Sequence, residues 1–264
     1  MWEALLCGRS GRGEVPKSRF NVDAFYHPDP QHPASINSHE GYFLDNDIRE
    51  FDHEFFSINA PEARYMDPQQ RQLLEVAFEC IESAGITLDE ISAQDVGCYI
   101  ANFTTDFAVL QAKDPEMYHR YSATGTGTAI LANRISHCFN LKGPSVTIDT
   151  ACSSSFFALH QACAALRAGE CDAAFVGGAN LIQSPELYIG AVKAGMISGT
   201  AACHTFDISA DGYARAEGVG ILYVKRLTDA IRARDPIRSI IRGTAVNRYF
   251  EPGNCCMWLM VGSL

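Results

Sequence analysis

Residues 146–155 read Val-Thr-Ile-Asp-Thr-Ala-Cys-Ser-Ser-Ser, and this stretch decides the fold class. Its first part, residues 146–149, begins with β-branched and apolar side chains and predicts a short strand. Small residues surround Cys152 and predict a sharp turn. Residues 153–168 then follow with an apolar helical pattern, which Gly169 ends. A strand that leads through a tight turn straight into a helix is typical of an α/β fold.

Strands and helices alternate along the rest of the chain. The clearest helix is predicted over residues 67–84, with Asp67 as N-cap, Pro68 in the first helical position, Gln70 completing a capping box and Gly85 at its end. Further strands are predicted at 96–103, 173–179, 218–224 and 237–246, further helices at 129–136 and 228–234, and irregular surface structure at 8–50. This alternation predicts a layered α/β fold in which helices cover a mostly buried sheet.

The charge balance of the chain limits its partners. Lys and Arg together number 21 and Asp and Glu number 31, which gives a net charge of −10. We therefore expect no binding to nucleic acid or to an anionic membrane surface. No apolar run is long enough to span a bilayer, and the first residues do not resemble a secretory signal. We expect a soluble, cytoplasmic protein.

Ten cysteines raise the question of disulfides or metal binding. The sequence has no C-x-x-C motif and no cysteine–histidine spacing typical of zinc sites. Cys80, Cys98 and Cys163 lie in apolar runs, which predicts small buried thiols in a reducing compartment. The irregular spacing of the histidines in residues 27–39 does not favour a metal site either. We predict neither a metal site nor a bound cofactor in this chain.

Cys152 is the candidate nucleophile. The predicted turn places its thiol at or just before a helix N-terminus, where free backbone N–H groups and the helix dipole favour the thiolate. The same N–H groups could hold a developing oxyanion. Attack on a thioester carbonyl suits such a thiolate because the product is also a thioester. A small buried structural cysteine at a tight junction fits this pattern equally well.

The segment around Cys152 resembles the active-site signature of the β-ketoacyl synthases, the condensing domains of polyketide and fatty acid synthases. Further blocks are similar to that family in the same order: residues 51–56, 61–63, 66–71, 133–136, 141–145, 176–180, 206–207, 211–213 and 217–220. The resemblance covers roughly residues 14–247. The sequence around Arg19-Phe20-Asn21 is similar to that of iterative type I polyketide synthases of the fungal type.

The resemblance implies a thiolase-like α-β-α fold and a role for Cys152 as the acyl-accepting residue. In the family, the acyl group arrives on the phosphopantetheine of an acyl carrier protein or on coenzyme A. A malonyl thioester is then decarboxylated and condensed with the acyl group, and the enzyme is a homodimer. We therefore expect an acyltransferase of the 3-oxoacyl-[acyl carrier protein] synthase type, working in polyketide or fatty acid biosynthesis.

The resemblance also suggests that part of the family's domain is not present. Residues 1–247 are expected to be a partial N-terminal domain that lacks the first strand, which we expect to be an inner strand of the sheet, and the second half. Residues 248–264 do not follow the family and are expected to be disordered or a gene-model artefact. The two histidine motifs that serve decarboxylation in the family are not in this sequence, so we expect no complete condensation by this chain alone.

Local histidines are not expected to replace those motifs. His160 lies eight residues after Cys152, about 12 Å along a helix axis and outside hydrogen-bond reach. His137 is expected at the end of a helix, as a packing or surface residue. His204 lies in a loop where the family commonly has a basic residue.

Two other functions remain open. The chain could be a non-catalytic partner that pairs with another synthase chain through the family's dimer surface, at residues 126–136. It could also be another thiolase-fold enzyme, such as a thiolase or a chalcone-synthase-like protein, although the sequences of residues 66–71 and 150–155 favour the β-ketoacyl synthases. A serine hydrolase is disfavoured because no Gly-x-Ser-x-Gly motif occurs.

Overall fold

The computed structural model describes residues 2–247 and the strand residues 259–260. The helices are α1 Trp2–Leu6, α2 Ala60–Tyr65, α3 Pro68–Ala84, α4 Leu88–Ile91, α5 Asp106–Ala112, α6 Ser122–Thr126, α7 Ile130–Cys138, α8 Ser154–Ala168, α9 Glu186–Lys193 and α10 Leu227–Ala233. The strands are β1 Arg12–Glu14, β2 Glu40–Tyr42, β3 Val96–Ala101, β4 Ser145–Ile148, β5 Ala173–Asn180, β6 Gly218–Lys225, β7 Ala245–Val246 and β8 Leu259–Met260. Short 3-10 turns form at Val22–Ala24, Pro115–Met117 and Ala151–Ser153.

These residues form two compact units. The first comprises the chain up to Glu50 together with Thr104–Tyr118 and Asn180–Gly218. The second comprises Phe51–Phe103, His119–Ala179 and the chain from Val219 onward. None of the helices within residues 2–247 has the length and apolar character needed to cross a membrane.

The second unit is built on a four-stranded sheet with the order β4-β3-β5-β6. Strand β3 is parallel to both of its neighbours and pairs Val96 with Ala173 and Cys98 with Ser145. All six residues of β3 are buried, as expected for an inner strand of a sheet that is covered on both faces.

Helices cover both faces of this sheet. On one face, α3 and α7 pack through Leu74 and Ile135 against Ile100 and Phe175. On the other face, the small side chains of α8, such as Ala158, lie against the alternate residues of the same strands. Because successive strand residues point to opposite faces, one run of apolar residues serves both layers. The α-β-α layering expected from the sequence is confirmed.

The first unit contains the antiparallel pair β1 and β2 and a small core around α9, in which Ile36, Tyr188 and Val192 are buried. An ion pair between Arg19 and Glu217 is also buried, with only 2% and 0% of the two side chains exposed. The expectation of largely irregular structure over residues 8–50 is confirmed, because that range holds only two three-residue strands and one 3-10 turn.

Three details of the sequence prediction are wrong. The first concerns the strand expected at 237–246. Only Ala245–Val246 form a strand, which pairs with Leu259–Met260, and residues 235–244 have no regular structure. A strand forms only where its backbone N–H and C=O groups are hydrogen-bonded to a neighbouring strand. Within the described residues, the sheet ends at β6, and Ile240 in this segment remains 52% exposed.

The second detail is the capping box at the start of α3. Asp67 does cap the helix, because its carboxylate accepts a hydrogen bond from the backbone N–H of Gln69 at 2.9 Å. However, Gln70 does not reach back to Asp67. Its side-chain amide donates to the carbonyls of Thr124 and Gly125, and the backbone N–H of Asp67 donates to Gly125 instead.

The third detail is the position of the family's first strand. The sequence suggested a gap inside the sheet, but β3 pairs directly with β5 over Val96–Ala101 and Ala173–Gly178. No inner position is open, and among the described strands of this sheet only β4 and β6 present a free edge. The expectations for residues 248–264 lie outside the described residues, apart from the short strand at Leu259–Met260.

Candidate active site

Cys152 lies where the sequence predicted it, between β4 and α8. Strand β4 ends at Ile148, the 3-10 turn Ala151–Ser153 follows, and α8 begins at Ser154. Cys152 is exposed, so the alternative of a small buried structural cysteine is wrong. Ala151, just before it, has a φ of 56°, in the left-handed region that costs a residue with a Cβ of order 1–3 kcal/mol. The chain therefore presents the thiol on a strained turn.

Hydroxyl groups hold this turn together. The Ser154 Oγ donates to the carbonyl of Ala151 at 2.6 Å and accepts from the backbone N–H of Thr150 at 2.8 Å. The Ser153 Oγ donates to the carbonyl of Thr150 at 2.9 Å. The Asp149 carboxylate accepts from the N–H of Ala151 at 3.0 Å. Both serines are buried, at 8% and 4% exposure, so their three bonds are partly shielded from competing water, whereas the bond from Ala151 to Asp149 is exposed.

Asn102 ties the strands together where they end. Its backbone N–H donates to the carbonyl of Ile148, the last residue of β4, at 3.1 Å. Its side-chain Nδ2 donates to Gln69 Oε1 at 3.0 Å and to the carbonyl of Ala179 at 3.2 Å. Asn102 thus joins β4, β5 and α3 at the carboxyl edge of three parallel strands, the edge at which α/β folds usually carry their sites.

The sequence patterns at 67–84 predicted the helix and its caps but not this network. The signal that could have revealed it is the run Gln69-Gln70-Arg71, which is polar and yet lies in a helix with a strong apolar pattern. All three residues are buried, and buried polar side chains are nearly always hydrogen-bonded. Gln70 also accepts from Arg134 at 3.1 Å, and Arg134 pairs with Glu62.

A small apolar cleft adjoins the first turn of α8. It has a volume of about 180 Å³. Its walls are Ser155, Phe156 and Leu159 of α8, Val176, Gly177 and Gly178 of β5, and Gly220 and Leu222 of β6. Ser155 and Phe156 follow Cys152 by three and four residues, which places them about one helical turn further along.

The other cysteines divide by exposure. Burial raises the pKa of the Cys98 thiol to about 12 and also raises the pKa values of Cys80, Cys138, Cys163 and Cys171. These groups are poor nucleophiles because the thiolate is the reactive form. Within residues 2–247, the exposed thiols are those of Cys7, Cys152 and Cys203. In the same part of the chain, no group of three His, Cys, Asp or Glu side chains could hold a metal ion.

The three histidines considered as substitutes have other surroundings. His160 contacts Thr244 Oγ1 through Nδ1 at 2.9 Å. His204 contacts Thr200 Oγ1 through Nε2 at 2.9 Å. His137 is exposed in the last turn of α7.

Comparison with known proteins identifies the family of the chain that carries this site. The family model described as β-ketoacyl synthase, N-terminal domain, matches residues 1–230. The chain belongs to the β-ketoacyl synthase family. This match decides against the other thiolase-fold enzymes that the sequence left open.

Its relatives in this family are fungal polyketide synthases. The chain is 63% identical over 247 residues to highly reducing polyketide synthase 19 of Pyricularia oryzae, and 62% identical over 247 residues to the highly reducing polyketide synthase srdA of Neurospora crassa. Each alignment covers 94% of this chain but only 10% of the relative. The chain thus spans about a tenth of the length of the curated relatives that it matches.

Solved ketosynthase structures match the fold. The oxazolomycin ketosynthase domain of Streptomyces albus has a TM-score of 0.87 and 34% identity, and the match covers 94% of this chain and 44% of that one. The ketosynthase from module 6 of the Bacillus subtilis bacillaene synthase has a TM-score of 0.85 and 36% identity, with coverage of 96% and 41%. The chain therefore has the thiolase-like fold of a ketosynthase and corresponds to less than half of such a domain.

Proposed function

We propose that this chain forms the acyl-accepting part of a β-ketoacyl synthase and that Cys152 is its nucleophile. The observation that carries the proposal is the exposed thiol of Cys152, on a strained turn directly before the N-terminus of the fifteen-residue helix α8. The surrounding hydroxyl bonds fix the turn before any substrate arrives, so little reorganisation is needed at the moment of attack.

The proposed step is a transfer of an acyl group between two sulfur atoms. The Cys152 thiolate attacks the carbonyl carbon of an acyl thioester, and a bond forms between that carbon and the Cys152 sulfur. The tetrahedral oxyanion then collapses, the bond to the original sulfur breaks, and the departing thiolate takes up a proton from solvent. Backbone N–H groups at the start of α8 are the proposed donors to the oxyanion, since the first N–H groups of a helix lack partners within it.

The proposed donor is an acyl group on the phosphopantetheine of an acyl carrier protein or on coenzyme A, and no cofactor held by this chain is needed for the step. Decarboxylative condensation with a malonyl unit is the second part of the family's cycle. Its two histidine motifs are not among the 264 residues of this sequence, so the proposal for these residues is limited to acyl acceptance. We also propose that the intact synthase is a homodimer, and the cytoplasmic location stays a prediction.

Intact-mass spectrometry tests the proposed step. The purified chain would be incubated with the N-acetylcysteamine thioester of hexanoic acid, and the mass increase recorded for the wild type, Cys152→Ala and Cys203→Ala. We expect one hexanoyl group on the wild type and on Cys203→Ala, and none on Cys152→Ala. Cys203 is the matched control because it is also exposed. Equal acylation of the two variants would refute the proposal.

A second candidate, the pairing partner of another synthase chain, is favoured by exposed apolar surface in the second unit. An apolar groove of about 600 Å³ runs beside β6, with Leu222, Ile237 and Ile241 among its walls. Val146 on the edge strand β4 is 42% exposed. Apolar patches of this kind often mark interfaces. Sedimentation velocity combined with the acylation assay distinguishes the candidates: self-association without acylation would favour a pairing role, and acylation of Cys152, in a monomer or a dimer, would favour the enzyme.

A further inference from the structure

We infer that Ser154 is the positioning residue of Cys152: its hydroxyl holds Ala151 in the left-handed conformation and so fixes the direction of the thiol. This inference rests on the proposed function and adds a role that the resemblance does not supply. Ser154 is only 4% exposed, so it acts through the backbone of the turn and not on an acyl group.

Ala151 is the strained residue of the turn. Its φ of 56° is one that residues with a Cβ rarely adopt. A change of Ala151 to the ordinary right-handed conformation would redirect the chain at Cys152, the next residue. The observed turn therefore needs a restraint that acts on Ala151 itself.

The Ser154 hydroxyl is placed to supply that restraint. It accepts from the N–H of Thr150, before Ala151, at 2.8 Å and donates to the carbonyl of Ala151 at 2.6 Å. One oxygen atom thus bridges the backbone on both sides of the strained residue. The Ser153 hydroxyl, in contrast, bonds within Thr150 only, to its carbonyl at 2.9 Å and its Oγ1 at 3.0 Å. Of these two hydroxyls, that of Ser154 is the one that spans Ala151.

The test measures the rate at which iodoacetamide modifies Cys152, with Cys203 as the reference thiol in the same molecule. Peptide mapping would give both rates over a range of pH for the full chain and for Ser154→Ala. We expect Ser154→Ala to slow the modification of Cys152 about tenfold and to leave the rate for Cys203 unchanged. The matched control is Ser35→Ala, which removes another buried serine hydroxyl, bonded to the carbonyl of His32 at 2.7 Å. Ser35→Ala should leave the rate of Cys152 modification within about twofold of the wild-type rate.

A second variant keeps the test decisive if Ser154→Ala also lowers stability. Glycine adopts the left-handed conformation readily, so Ala151→Gly should reduce the need for the Ser154 hydroxyl. In the Ala151→Gly background, Ser154→Ala should then slow the modification of Cys152 by less than about threefold. A simple loss of packing would give the same slowing in both backgrounds and would overturn the inference.

The outcomes also separate this inference from the proposed function. If wild-type Cys152 reacts no faster than Cys203, the proposed function fails. If wild-type Cys152 reacts selectively and Ser154→Ala keeps that selectivity, the proposed function stands and only the role of Ser154 is refuted.

Discussion

Replacing Glu217 by alanine should be among the most damaging single changes in the first unit. The Glu217 carboxylate accepts four hydrogen bonds: from Arg19 Nε at 2.8 Å and Nη2 at 2.9 Å, and from the backbone N–H groups of Leu44 and Ile182, both at 3.0 Å. Its side chain is fully buried and that of Arg19 is 2% exposed. Alanine would leave a buried guanidinium without its countercharge and two N–H groups without their acceptor.

The size of the effect follows from this burial. Removing one partner of a buried ion pair costs about 3–5 kcal/mol, because the remaining charge stays desolvated. With a urea dependence of up to about 3 kcal/mol per molar, the midpoint of urea unfolding should fall by about 1 M or more. Circular dichroism of the full chain in increasing urea gives this midpoint for the wild type and for Glu217→Ala.

Two comparisons make the result interpretable. Asp47 pairs with Arg49 at the surface, and Asp47→Ala should leave the midpoint unchanged because exposed pairs contribute little. The double change Arg19→Met with Glu217→Leu should recover much of the loss, because it removes both charges and keeps apolar volume. The reasoning is refuted if Glu217→Ala shifts the midpoint no more than Asp47→Ala does.

Further changes test other parts of the structure. Gly125→Ala should destabilise by more than about 2 kcal/mol in thermal unfolding, since a Cβ there would lie 1.9 Å from the carbonyl oxygen of Tyr65; a normal melting temperature would contradict the position of α6. Gly190→Ala, in α9 with no atom within 4 Å of the new Cβ, should instead stabilise by about 0.5–1 kcal/mol, and a loss would show that this helix is misplaced. Asn102→Ala should cost about 1–3 kcal/mol because two buried acceptors lose their donor; an unchanged melting temperature would remove Asn102 from the network. Cys98 should resist iodoacetamide in the folded chain near pH 9 and react after unfolding, because burial raises its pKa from 9.0 to about 12 and keeps it a neutral thiol; labelling before unfolding would contradict its burial.

The parts of the fold that the sequence predicted well are those in which local pattern and tertiary environment agree. The buried strands β3 and β5 form where continuous apolar runs predicted them, and α8 ends at Ala168 with Gly169 in the left-handed conformation. Arg19 and Glu217 both lie in segments that resemble the β-ketoacyl synthases. The structure gives the physical reason for both, since they form one buried ion pair.

The parts that failed depend on partners distant in sequence. Gln70 satisfies the local rule for a capping box, but residues 124 and 125, more than fifty positions away, offer it better acceptors. The apolar segment at 237–246 has the composition of a strand, but a strand forms only when it exchanges backbone hydrogen bonds with a neighbouring strand. The sequence pattern of the segment does not identify that neighbour.

The candidate site shows the same division. The position of Cys152 could be predicted because strand, turn and helix follow one another directly in the chain. The hydroxyl bridge from Ser154 lies within four residues but depends on the left-handed Ala151, which nothing in the sequence marks. The Asn102 network joins residues 69, 102 and 179 and could not be predicted without the sheet order.

The most direct test of the central claim is protection of Cys152 by an acyl thioester. The full chain would be treated with the hexanoyl N-acetylcysteamine thioester, then with iodoacetamide, and the labelling of each cysteine peptide compared with that of an untreated sample. We predict that labelling of Cys152 falls, that labelling of Cys7 and Cys203 does not, and that hydroxylamine, which cleaves thioesters, restores it. Unchanged labelling of Cys152, or equal protection of Cys7, Cys152 and Cys203, would contradict the account.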